Sequence, residues 1–433
     1  MQELSQSPPT QVAVVVAGAG ARGGYEAGVL SVLVPRLYNA GVETLTFVGT
    51  SAGAINATIF AALSHLPPDE QAQQALQIWR NITVSDVFRS PITGFPGIAG
   101  RFAGQLLQVP GVRLTNLLDT DPLRRTVQRA IDWGQLRTNT TNGRCSLAVV
   151  ATSGADDRTV VFVDRAGTTP VPPPDDERPI HYVAAQIMPE HVLASSAIPI
   201  VFPPVYVSKP ETCEGWYLDG GIRLNAPLKP ALALGADAIA LVATHPEADP
   251  GTSAPPSGSP PDVDDVVVRL IDAALVDRMI EDLRTLAKIN ALVDSTEVES
   301  PTGRPRKVIP FLPIGPPERP SLGHLADEIF ENQRLRDQGL MRMLRQAELR
   351  ILGRALGGDG PRRGDLFSYL YFDKEFIEAS IELGRHDAED AFAGSQPDQV
   401  PWRIGPRQPL PTRERSNVAD LPNHRQGARK YRS

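Results

Sequence analysis

The chain has 433 residues, 43 Lys and Arg against 50 Asp and Glu, and a formal net charge of −7. That length supplies a large core, in one big domain or two moderate ones. The acidic balance excludes a protein whose main task is coating nucleic acid or binding anionic lipid across its whole face. Only Cys145 and Cys213 are present, with no CxxC or Cys/His cluster, which excludes a disulfide framework and a structural zinc site.

The polar start, MQELSQSPPTQ, has no basic segment followed by an apolar run, so no secretory signal is expected, residues 1–11 read as a disordered N-terminus, and a cytoplasmic chain is the default. No stretch approaches the ~18 consecutive apolar residues of a spanning helix, so any membrane contact is expected to be peripheral. Gln11 to Val16 is a β-branched run that leads through glycines into a helical pattern at Val29, Leu30, Leu33 and Leu37. Leu45 to Val48 repeats the strand, Gly49 to Gly53 makes a tight turn, and Ala54 to Leu63 makes a helix. Two strand-turn-helix units in succession predict a parallel sheet. Further strands are expected at Ser146 to Ala151, Val160 to Val163, Gly215 to Leu218, Ala238 to Val242 and Lys307 to Phe311, which together indicate an α/β layer fold.

Residues 165–179 and 246–265, dense in Pro, Ser, Gly and Asp, read as mobile insertions. Val263 to Val293 and Leu325 to Leu356 follow helical spacing and are expected to cap the sheet. The spacing divides the chain into a main α/β domain at 12–315, a helical extension at 316–396 packed on it and a basic tail at 397–433 expected to be disordered.

Three motifs carry chemistry. Gly49-Thr50-Ser51-Ala52-Gly53 fits GxSxG, whose small neighbours let a strained strand-to-helix turn hold the serine oxygen clear of the backbone. The following helix dipole and the amide of Ala52 would favour a developing oxyanion. Gly18-Ala19-Gly20-Ala21-Arg22-Gly23 closes the first strand. As GxGxxG it could bind a dinucleotide, but the acidic residue wanted at the end of the second strand is absent, and Glu43 lies before that strand. The serine turn on the next strand favours the other reading, a loop that offers backbone N–H groups to an oxyanion. The third motif, Leu218-Asp219-Gly220-Gly221, sets an Asp at a strand end before a glycine turn; alone it is an ordinary turn signal.

Together with Tyr25 to Leu30 (YEAGVL) and Ala194 to Pro204 (ASSAIPIVFPP), these motifs resemble the patatin-like phospholipase family over roughly residues 12 to 245. The resemblance implies a three-layer α/β fold, with a mostly parallel central sheet and helices on both faces. It also implies a Ser-Asp dyad: Ser51 as nucleophile, Asp219 as its direct base, the backbone of Gly18, Ala19 and Gly20 as the oxyanion hole, and Arg22 helping to fix or polarise that loop. Gly23, Gly49, Gly53, Gly220 and Gly221 support the turns. Two departures stand out. The family often has three glycines where this chain has Gly18, Ala19 and Gly20, so Ala19 strains the loop if it must take positive φ. The third motif is DGG rather than the commoner DGA.

Such a dyad needs no imidazole, and of the later histidines, His245, His324, His386 and His424, only His245 follows a strand. A carboxylate is a poor base at its reference pKa near ~3.9, and burial is expected to raise it. Ser90 to Gly111, with Phe95, Ile98, Phe102, Leu106 and Leu107 among glycines and prolines, either lines an acyl pocket or folds under the helices as core.

The expected function is hydrolysis of lipid carboxylic esters through an acyl-enzyme that water, activated by Asp219, resolves. A thioesterase or transacylase on the same dyad and a catalytically latent lipid-binding protein are the alternatives. A nicotinamide-binding oxidoreductase is more distant. The expected partners are a lipid or ester substrate and a membrane surface; nucleic acid, a metal and a cofactor are not expected, and no activating protein is evident from the sequence.

Overall fold

The structure is a computed structural model that describes residues 9–89, 118–167, 170–175, 177–199, 201–246, 278–295, 307–317, 321–336 and 363–405. The first half runs β1 (Gln11–Val16), a single 3-10 turn (Gly20–Arg22), α1 (Gly23–Asn39), β2 (Thr44–Thr50), α2 (Ala52–Ala62), α3 (Pro68–Arg80), α4 (Val84–Val87), α5 (Asp121–Ala130), α6 (Trp133–Thr141), β3 (Cys145–Ser153), β4 (Thr159–Asp164) and β5 (Ile180–Ala184). It continues with α7 (Pro189–Ser195), β6 (Val205–Val207), β7 (Gly215–Asp219), α8 (Gly221–Leu224), α9 (Leu228–Ala233), β8 (Ala238–Val242), α10 (Arg278–Ser295), β9 (Phe311–Ile314), α11 (Ser321–Arg336), α12 (Arg363–Leu370) and α13 (Lys374–Ala391).

The strands form one mixed sheet in the order β5-β4-β3-β2-β1-β8-β9, with β7 pairing β3 and β6 pairing β7. β3, β2, β1, β8 and β9 run parallel; β4 and β7 run antiparallel to β3. Both faces are covered, which is why β1 is buried almost throughout. Val12, Val14 and Val16 face a core shared with α1, α2, α3 and α13, while Ala13, Val15 and Ala17 face the layer of α9 and α10. The result is the expected three-layer α/β architecture.

One strand lies elsewhere than its sequence pattern suggests. The expected strand at Lys307 to Phe311 is observed at Phe311–Ile314, with Phe311 opposite Ile239 on β8. Among the described residues β9 pairs with one full strand, so the missing N–H of Pro313 is tolerated. Two further strands are not expected from the sequence: β5 begins where the 165–179 insertion ends, and β6 has three residues, too few to show a period.

The helices after residue 315 do not form a separate core. Phe376, Ile377 and Ile381 on α13 pack into the same cluster as Tyr25, Val29 and Leu33 on α1. Backbones meet at this crossing: a Cβ on Gly28 would lie 2.2 Å from the Ile381 carbonyl, and one on Gly384 2.1 Å from the Tyr25 carbonyl. Arg80 on α3 adds an ion pair to Glu378 on α13 at 3.0 Å. Among the described residues no helix is long and apolar enough to cross a membrane. Residues 1–8, 90–117, 247–277, 337–362 and 406–433 are among those outside the description, so the expectations for the Ser90 to Gly111 segment, most of the 246–265 insertion, residues 337–356 of the expected second capping helix and residues 406–433 of the basic tail fall there. Residues 397–405 of that tail depart from the expected disorder: Arg403 and Phe311 exchange backbone hydrogen bonds, and Val400 and Trp402 pack against the core.

Candidate active site

The register of the sheet brings the three motifs to one end. Thr50 on β2 pairs with Val150 on β3, and the next residue of β3, Ala151, pairs with Asp219 on β7. The glycine loop leaves β1 at the same level, since Val16 pairs with Gly49. Parallel strands β1 and β2 and antiparallel β7 therefore end together.

Ser51 sits between β2 and α2 at φ 56° and ψ −129°. A non-glycine residue there is strained by its own Cβ, and among the other described non-glycine residues only Asp157 has a positive φ. Neighbouring glycines make the turn feasible: a Cβ on Gly49 would lie 2.4 Å from the Gly53 carbonyl, and one on Gly53 2.4 Å from the Val16 carbonyl. The elbow is also held from outside. Ser51 N–H donates to Ser195 Oγ at 2.9 Å, Ser195 Oγ donates to the Val150 carbonyl at 2.6 Å, and the Ser196 hydroxyl reaches the Ser51 carbonyl at 3.1 Å.

Asp219, the last residue of β7, is 4% exposed. Its N–H donates to the Ala197 carbonyl, Thr152 Oγ1 donates to its carbonyl, and Gly221 N–H donates to Oδ1 at 2.7 Å. Oδ2 is buried and makes no hydrogen bond of normal geometry among the described residues. Burial pushes the carboxyl up to about 7, against the Ser51 hydroxyl and the Gly221 amide, which pull it down. Gly220 lies so close to β3 that a Cβ would come within 2.3 Å of the Val150 carbonyl.

The glycine loop answers the question that Ala19 raised. Ala19 takes φ −152°, and the left-handed residue is Gly20 at φ 56°. The alanine is therefore unstrained. Gly18 differs from its expected part: its N–H donates to Asn225 Oδ1 at 3.0 Å and is already committed. What Gly18 provides is space, because a Cβ would come within 2.8 Å of Ser51 Cβ. The amides of Ala19, Gly20 and Ala52 donate to no protein group among the described residues. Arg22 is fully buried, with Nε donating to Ser368 Oγ at 2.7 Å.

An apolar pocket opens at Gly20, Ser51 and Ala52 and runs along α2 past Ile55 and Ile59, walled by Trp79 on α3, Val127 on α5 and Phe372. Gly23 makes room for the Trp79 ring, whose Cη2 would lie 2.3 Å from a Cβ at that position. Trp79 Nε1 donates to Asn56 Oδ1 at 2.6 Å, and Asn56 Nδ2 donates to Glu26 Oε2 at 2.9 Å. Burial holds the Glu26 carboxyl well above the usual carboxylate range, with the Asn56 bond opposing.

Two of the later histidines have partners other than the dyad. His245 Nε2 pairs with the Tyr369 hydroxyl at 2.7 Å, and the exposed His386 faces Asp390. Glu43 is exposed at the start of β2, the end remote from the glycine loop. Sequence reasoning missed the parts played by Ser195, Ser196 and Asn225. The two serines stand in the ASSAIP segment that helped carry the resemblance, whereas nothing in the pattern around Asn225 marks it.

Comparison with known proteins gives a family. The family model described as patatin-like phospholipase matches residues 14–232. Among solved structures the chain is similar to the crystal structure of VipD from Legionella pneumophila, with 13% identity over 89% of this chain and 88% of that one and a TM-score of 0.28. No curated protein matches.

Proposed function

The chain belongs to the patatin-like phospholipase family, which makes it a lipid acyl hydrolase, and on that premise we propose that Ser51 and Asp219 form its catalytic dyad. The carrying observation is the pairing of a serine at positive φ with a buried carboxylate whose Oδ2 is uncommitted and whose pKa is pushed up to about 7. Ser51 Oγ attacks the ester carbonyl and passes its proton to Asp219 Oδ2. The oxyanion accepts from amides among Ala19, Gly20 and Ala52, which are aimed before the charge appears. Collapse expels the alcohol, which takes the proton from Asp219, and leaves an acyl-enzyme. Asp219 then deprotonates a water that attacks the acyl carbon and frees the acid and Ser51.

The pocket beside Ser51 supports a hydrocarbon acyl group. Among its walls, Thr126 already gives its hydroxyl to the Asp86 carbonyl at 2.8 Å, so the deep part offers little to a polar chain. Peripheral contact with a lipid surface belongs to the same reading. Tyr206 and Trp216, 44% and 59% exposed, stack edge to face at 5.2 Å on the β6–β7 pair, and β7 ends in Asp219. Amphipathic rings of this kind suit a membrane–water boundary.

The test is labelling with a fluorophosphonate probe alongside hydrolysis of a p-nitrophenyl ester, with and without phosphatidylcholine vesicles. Wild type is expected to label and turn over, Ser51→Ala to do neither, and Asp219→Asn to lose turnover. A wild type that does neither, even with vesicles, overturns the dyad. Product analysis with an added alcohol or thioester separates hydrolysis from acyl transfer.

A further inference from the structure

Residues 368–372 lie far beyond the end of the family match at residue 232, yet they touch both halves of the proposed site. The Tyr369 carbonyl packs on Gly20 so closely that a Cβ there would come within 2.4 Å of it. Arg22 Nε donates to Ser368 Oγ at 2.7 Å, and its guanidinium lies 4.3 Å from the centroid of the Tyr369 ring. The Tyr369 hydroxyl meets His245 Nε2 at 2.7 Å beyond the end of β8. Three residues on, Phe372 forms part of the wall of the apolar pocket.

The glycine loop is held from within by short-range backbone bonds alone. Arg22 N–H donates to the Ala19 carbonyl at 3.1 Å and Gly23 N–H to the Gly20 and Ala21 carbonyls, while Gly18 is tied outward to Asn225. Gly20 stands in a left-handed conformation that the loop alone would not keep. A buried guanidinium also requires partners, and an aromatic face supplies one. Tyr369 meets both needs at once, with its backbone against Gly20 and its ring against Arg22. His245 fixes the far end of the same side chain, which gives that buried histidine a place in the molecule without any proton transfer in the reaction.

We infer that Tyr369 is a positioning residue for the oxyanion loop, anchored by His245, and that Phe372 on the same stretch sets the acyl-chain preference. The inference rests on the dyad and loop reading above. Catalysis by preorganised donors tolerates little displacement, since a shift of about 1 Å can cost on the order of a hundredfold in rate.

The experiment uses the full-length protein with Tyr369→Ala, Tyr369→Leu, Tyr369→Phe and Phe372→Ala. It reads kcat and KM on p-nitrophenyl esters of increasing chain length, the rate of Ser51 labelling by a fluorophosphonate, and the melting temperature. Tyr369→Ala is expected to lower kcat and the labelling rate by roughly 10- to 100-fold with KM within about threefold. Tyr369→Phe, which keeps the ring beside Arg22 but loses the hydroxyl that His245 anchors, is expected to recover only part of that loss. Phe372→Ala is expected to move the optimum to longer chains, and a chain-length profile identical to that of wild type would overturn the part assigned to Phe372. If wild type labels at Ser51 while folded Tyr369→Ala keeps wild-type kcat and labelling, or changes only KM, the inference is overturned and the dyad stands. Should the alanine variant not fold, Tyr369→Leu decides by the same comparison. If wild type itself does not label, the dyad reading falls and takes this inference with it.

Discussion

The backbone amide of Ser51 donates to the hydroxyl of Ser195 at 2.9 Å, and that hydroxyl in turn donates a hydrogen bond to the Val150 carbonyl at 2.6 Å. One side chain thus ties the strained elbow to β3. Ser195→Ala would leave a donor and an acceptor unpaired in the interior, which costs about 1–3 kcal/mol. It would also free the elbow to relax its positive φ. The variant is expected to unfold at lower denaturant concentration and to lose about tenfold or more in kcat with little change in KM. A variant with wild-type kcat and an unchanged midpoint would show that Ser195 holds nothing that matters.

The base function of Asp219 predicts a pH profile. Only the ionised carboxylate accepts the Ser51 proton, and burial pushes its pKa up to about 7. kcat/KM is therefore expected to rise with pH on the acid side and to level off above about 7. A profile already flat from about pH 5 upward would mean that the free enzyme's base titrates in the ordinary carboxylate range.

The same shift has a consequence for stability with the opposite slope. The folded protein keeps the Asp219 proton up to about pH 7, whereas the unfolded chain loses it near the ordinary aspartate value of 3.8. Between those values the native state binds the extra proton, so stability falls as pH rises through that window and stays low above it. Asp219→Asn removes the burden while keeping an oxygen for the Gly221 amide. Its melting temperature is expected to exceed that of wild type at pH 8 by a margin that vanishes near pH 4, the effect amounting to a few kcal/mol at most. Equal margins at both pH values would sink the linkage.

Much of the architecture is legible in the residues. The apolar runs at Gln11 to Val16 and Ala238 to Val242 coincide with β1 and β8, because strands buried on both faces need uninterrupted β-branched and small residues. The elbow was legible for a similar reason: few sequences put glycine on both sides of a serine unless the backbone closes tightly there. Less could be read of the contacts that span long stretches of chain. Asn225 reaches Gly18 and Tyr369 reaches Gly20 only after the sheet has closed, and neither residue follows a local period. The loop donors were similarly undecided, since which of Gly18, Ala19 and Gly20 takes positive φ depends on what each backbone abuts.

That assignment of φ separates two neighbouring substitutions. Ala19 has a negative φ, so Ala19→Gly removes only a methyl group and is expected to leave kcat within about twofold while adding backbone freedom to the unfolded chain, worth under about 1 kcal/mol. Gly20→Ala asks an L-residue to hold φ 56° with its Cβ 2.4 Å from the Tyr369 carbonyl. Something must move, and the loop or the 368–372 stretch is what can. Gly20→Ala is expected to cost roughly 1–3 kcal/mol and most of the activity. Steady-state kinetics and thermal melts of the pair would check it, and equal behaviour of the two variants would mean that the loop is not held as described.

The pocket carries a further prediction, because α2 contributes both Ile55 and Ile59 to its wall. Ile55 and Ile59 lie one and two turns beyond Ser51 on the same face, so Ile59 stands about 12 Å along the helix from the nucleophile. Bulk added there should shorten the space for an acyl chain without touching the reacting carbonyl. Ile59→Phe overpacks a site that is 2% exposed and is expected to destabilise the fold by about 1–3 kcal/mol. On a series of p-nitrophenyl esters it should lower kcat/KM by about tenfold or more for the longest chains and leave the acetyl ester nearly unchanged. A uniform loss across all chain lengths would instead indicate that the substitution disturbs α2 and the elbow it carries, and that the acyl chain lies elsewhere.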